Sequence, residues 1–60
     1  MSRFFFIDPK TGELMLNVSK NTYQEACWNF ELKYRLSVKV LIESGKIVVE
    51  SLSVNGGVYA

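Results

Sequence analysis

The stretch RFFFIDPKTGELML, residues 3–16, sets three consecutive phenylalanines ahead of a dense turn signal. Pro9 brings a preset φ, Asp8 a side chain that accepts backbone N–H bonds, and Gly12 a left-handed residue to close the loop. The stretch therefore reads as an antiparallel hairpin with Asp8 opposite Glu13. Counting back from the turn, Ile7 falls opposite Leu14, Phe6 opposite Met15 and Phe5 opposite Leu16. Side chains alternate between the faces of a strand. One face is thus expected to carry Phe5, Ile7, Leu14, Leu16 and Val18, and this reads as core. The other carries Phe4, Phe6 and Met15, and it is apolar too.

Beyond the hairpin, Thr22 opens a T-x-x-E capping box with Glu25, which predicts a helix with Thr22 as N-cap. Tyr23, Ala26, Cys27, Phe30 and Tyr34 form one helical stripe, and Trp28, Leu32 and Leu36 form a second on the opposite side. A helix that covers one core needs a single stripe. From Leu36 the period changes to two: Leu36, Val38, Val40 and Ile42 alternate with Ser37, Lys39, Leu41 and Glu43, the pattern of a strand. Ser44-Gly45 then reads as a two-residue turn into a further strand from Lys46. In that register Glu43 faces Lys46, Lys39 faces Glu50 and Leu41 faces Val48. Asn55-Gly56 is a hairpin signal that folds Val58-Tyr59 back as an optional short fifth strand, or else a hinge.

The expected fold class is therefore α+β in the order ββαββ. Two hairpins form an antiparallel-rich sheet with one helix on a face, in a single domain spanning residues 1–60. Sixty residues bury a marginal core, and small scaffolds compensate with disulfides, a metal or oligomerisation. One cysteine excludes an internal disulfide, and the lack of histidine leaves no usual zinc ligand set. No metal and no cofactor are expected, which leaves oligomerisation. Seven basic residues against six acidic ones give no broad argument for nucleic acid or membrane. The apolar run Phe4–Ile7 is too short for a signal-peptide core or a membrane span. The free thiol and the missing targeting segment fit a cytoplasmic protein.

The catalytic inventory is thin. Without histidine there is no Ser-His or Cys-His pair, Cys27 on the inner stripe reads as a small buried apolar residue, and no phosphate-binding glycine loop is present. An enzyme is not expected.

The segment FFFIDPKTGELMLNVSKNTYQEACW resembles the N-terminal arm-binding domain of phage-type tyrosine recombinases. Asp8, Pro9, Thr11 and Gly12 match the D-P-x-T-G turn between strands, and Thr22, Glu25 and Ala26 the T-x-x-E-A helix start. The resemblance implies DNA binding through the first hairpin, with Arg3, Lys10 and Lys20 touching phosphates. Family members carry basic residues along the strands that enter the groove. Here those strands hold Phe4, Phe5, Phe6, Met15 and Leu16.

The surplus of apolar faces carries the main expectation. Phe4, Phe6, Met15, Trp28, Leu32, Leu41 and Val48 all lie off the side assigned to the core. Aromatic and methionine side chains are enriched in interface cores, and soluble monomers rarely expose large apolar patches. These seven residues are the expected contacts of a non-enzymatic module of adaptor or inhibitor type. It works through protein–protein contacts, as a homodimer and with a further protein. Nucleic-acid binding is the alternative.

Overall fold

A computed structural model describes residues 1–53 of the chain. Strands β1 (Ser2–Ile7) and β2 (Leu14–Lys20) form the expected hairpin. Helix α1 (Tyr23–Tyr34) follows, then a short helix α2 (Val38–Glu43) and strand β3 (Val48–Ser53). The sheet order is β2-β1-β3, antiparallel throughout, so the fold is α+β. Because β2 and β3 both oppose β1, they run parallel to each other, and the two helices make the crossover between them on one face. The expected turn at Asn55-Gly56 and the fifth strand lie outside the described residues.

The first turn closes as its residues predict. The Asp8 N–H donates to the Glu13 carbonyl at 2.9 Å, and the Lys10 N–H donates to Asp8 Oδ1 at 2.9 Å. Gly12 takes a φ of +75° and donates its N–H to the Asp8 carbonyl at 2.7 Å. Ile7 pairs with Leu14, as expected. The register then shifts: Phe6 pairs with Leu16 and Phe5 with Asn17 rather than with Met15 and Leu16. Met15 is the extra residue of a β-bulge, and one extra residue inverts the alternation of everything beyond it. Its half-buried carbonyl accepts the Tyr34 hydroxyl at 2.6 Å from α1.

The bulge corrects the expected faces. Leu16 and Val18 do pack against the core, but their partners across the pair are Phe6 and Phe4, and Phe5 is not opposite Leu16. Phe4 and Phe6 are buried together with Ala26, Phe30, Val38 and Ile47 in one cluster. The Phe6 and Phe30 rings stack with centroids 4.8 Å apart, and Tyr34 lies 4.6 Å beyond Phe30. Phe5 and Ile7, assigned to the core from their alternation, face the opposite side of the sheet and are half-buried.

The second correction concerns residues 36–43, where the expected strand is helix and the second hairpin with its cross-strand pairs does not form. Ser37 is the N-cap, its hydroxyl accepting the Val40 N–H at 3.4 Å. Glu31 of α1 reaches across so that its Oε2 accepts the Val38 N–H at 2.9 Å. The far end closes as a Schellman motif: the Gly45 N–H donates to the Ile42 carbonyl at 3.0 Å and the Lys46 N–H to the Leu41 carbonyl at 2.8 Å. Gly45 has the φ of +72° that this requires. Val38 and Leu41, three residues apart on one helical face, turn inward. In place of the expected pairing of Leu41 with Val48, Leu41 packs against the core, and Val40 and Ile42 are exposed.

Candidate functional site

Two apolar surfaces remain uncovered by described residues. The first is the open face of the sheet, away from both helices. The register puts Phe5 at its centre, between Asn17 on β2 and Glu50 on β3. Toward the turn lie Ile7, Leu14 and Val48; toward the other end lie Arg3 and Leu52.

The second surface lies on the helical side. Thr22 caps α1 as predicted, its Oγ1 accepting the Glu25 N–H at 3.2 Å. The inner stripe of α1 turns Ala26 and Phe30 into the core and leaves Cys27 and Tyr34 partly buried against it. The outer stripe remains in solvent, with Trp28 at 55% and Leu32 at 72% exposure. Between α1 and α2 runs a groove of about 460 Å³. Tyr23, Cys27 and Trp28 line it from α1, Val38 and Ile42 from α2, and Gln24, Glu31, Lys39 and Glu43 add polar groups.

Two groups of its lining, the Cys27 thiol and the Tyr23 hydroxyl, are held in their neutral forms. Burial raises the Cys27 thiol above its ordinary value, and the negative charge of Glu31 adds to this against the lowering effect of hydrogen bonding with Tyr23. Burial, hydrogen bonding with Cys27 and the charge of a Cys27 thiolate together push Tyr23 up to about 12. A thiol must ionise to act as a nucleophile, so this environment disfavours that role. Among the described residues no cluster of His, Cys, Asp or Glu is arranged to hold a metal ion. No described helix is long and apolar enough to cross a membrane.

The expected contact residues divide between these regions. Trp28 and Leu32 are exposed on the helical side, and Val48 is exposed on the open sheet face. Phe4 and Phe6 are only 5% and 0% exposed, so they hold the core and do not reach a partner, a consequence of the bulge. Met15 and Leu41 are half-buried against the same core. Sequence reasoning missed Val40, Ile42 and the groove, because it read their segment as a strand.

The basic residues proposed for nucleic acid do not converge. Arg3 lies on the open face, donating from Nη1 to Asn17 Oδ1 at 3.0 Å. Lys20 pairs with Ser2 at the same end of the hairpin but on the opposite face, and Lys10 sits in the turn at the far end. No protein-family model matches this chain, and no curated protein or solved structure is significantly similar to it.

Proposed function

We propose that this chain is a non-enzymatic binding module of adaptor or inhibitor type, self-associating as a homodimer and docking a further protein on its helical side. The observation that carries the reading is the excess of exposed apolar surface. Among the described residues ten large hydrophobic side chains are at least 41% exposed, against five that are buried. Scattered exposed hydrophobes are ordinary. Here, however, several cluster on the sheet face and others around one groove. Trp28 heads the helical-side cluster, and tryptophan anchors are the residues most often found to dominate binding energies at interfaces.

The alternative, a nucleic-acid module built on the first hairpin, draws support from the strand, turn, strand and helix order alone. The dispersal of Arg3, Lys10 and Lys20 weighs against it, because affinity for nucleic acid depends heavily on phosphate neutralisation. The two readings separate in one comparison. A Trp28→Ser, Leu32→Ser double variant, checked for native circular dichroism, is expected to lose a host protein that the wild type captures. Saturable, steeply salt-dependent binding to DNA or RNA by both proteins, with identical capture profiles, would overturn the protein-binding reading.

A further inference from the structure

The open sheet face carries two charged side chains, Arg3 and Glu50, and neither forms an ion pair with a described residue. We propose that a second copy of this chain covers this face, the two sheets crossing steeply, at about 70°, on a two-fold axis with Arg3 of each copy paired to the partner's Glu50. This rests on the self-association reading above and names the surface that performs it.

The argument is one of register. Neighbouring strands lie about 4.8 Å apart and residues on one face repeat roughly every 6.8 Å along a strand. Taking Phe5 as origin, Leu14 sits diagonally toward the turn on β2 and Leu52 diagonally the other way on β3, because they lie opposite Ile7 and Arg3. Leu14, Phe5 and Leu52 therefore mark one diagonal of the face. Arg3, two residues back along β1, and Glu50, directly across on β3, fall on opposite sides of that diagonal at similar distances.

A two-fold axis along the diagonal turns the strand direction by about 70°. It seats each of the three apolar residues on its own copy and carries Arg3 to within about 3 Å, in projection, of the partner's Glu50. Two-fold axes parallel or perpendicular to the strands instead bring Arg3 onto Arg3 or Glu50 onto Glu50, and like charges oppose such contacts. Self-complementarity of this kind is what an isologous interface demands. The Arg3 hydrogen bond to Asn17 Oδ1 holds the guanidinium over the face and leaves further donors for a carboxylate.

The test is charge reversal, read by sedimentation across a concentration series with circular dichroism as the check of fold. Wild type is expected to sediment as a dimer. Arg3→Glu and Glu50→Arg are each expected to weaken it by about 100-fold. Mixed in equal amounts, the two variants are expected to recover the dimer as a heterodimer, since one reciprocal pair is then native and the other is rebuilt with signs exchanged.

A wild-type dimer that survives either reversal, or a mixture that stays monomeric, overturns the proposal. If the dimer survives both reversals but is lost in Leu32→Asp, the geometry proposed here fails while self-association stands, moved to the helical side. A wild type that remains monomeric throughout the series overturns both, and leaves the sheet face to a foreign partner.

Discussion

Phe5 and Phe6 are adjacent, chemically identical and on the same central strand, yet they occupy different environments. Phe6 stacks on Phe30 and is fully buried beneath α1, while Phe5 faces the side on which no described element lies. The difference teaches that burial belongs to the covering element and not to the residue. An aromatic side chain on β1 contributes core energy only where Ala26, Phe30, Val38 and Ile47 come down on it. On the other face the same ring is surface that a partner can use.

The largest test of that contrast is truncation. Phe6→Ala is expected to cost about 4 kcal/mol, comparable with the whole stability of roughly 3–9 kcal/mol expected for a chain of this length. Under conditions where the protein is monomeric, Phe5→Ala should cost about 1 kcal/mol. Urea unfolding followed by circular dichroism measures both, and equal losses would break the contrast between the faces.

The next test concerns the element that helps cover Phe6. Ser37→Ala removes the N-cap of α2 and is expected to cost about 1 kcal/mol, read in the same unfolding experiment. No loss would mean that Glu31 alone holds the Val38 N–H and the start of the helix.

A smaller effect, of opposite sign, is expected at Arg35, which ends α1 with a φ of 61°. A left-handed conformation strains a side chain with a Cβ, whereas glycine adopts it freely. Arg35→Gly should therefore gain about 0.5 kcal/mol, the relief being partly offset by the greater freedom of glycine in the unfolded chain.

The smallest effect is a slope with pH. Folding raises Cys27 above its ordinary value of 9.0 and Tyr23 from 10.0 to about 12. The unfolded chain gives up these protons first, so above pH 9 the native state holds more protons than the unfolded one. Stability from this source is complete below that pH and declines as pH rises, first through Cys27 and then through Tyr23. Cys27→Ala should remove the earlier part of the decline in urea midpoints measured between pH 8 and 10.

Much of the first half of the chain was legible from local chemistry. The Asp8–Glu13 turn, the Thr22 cap and the two stripes of α1 all form where their residues direct, because each depends on neighbours within a few positions. Residues 36–43 misled, since alternating β-branched residues fit a strand. The competing signals were present: Ser37 as a cap, Val38 and Leu41 at helical spacing, and Gly45 placed to end the helix. In a six-residue element periodicity alone does not arbitrate between strand and helix.

What the sequence determined by itself is the local grammar: where the chain turns, where α1 begins, and that more apolar surface exists than one small core uses. Tertiary structure decided which face of β1 lies inside and that residues 38–43 are helical. Both outcomes involve contacts between residues distant in the chain. The Tyr34 hydroxyl engages the bulged Met15 carbonyl, and the Glu31 carboxylate accepts the first N–H of α2. A one-residue bulge is invisible to alternation within a strand, yet it puts Phe4 and Phe6, in place of Phe5 and Ile7, on the same face as Leu16 and Val18.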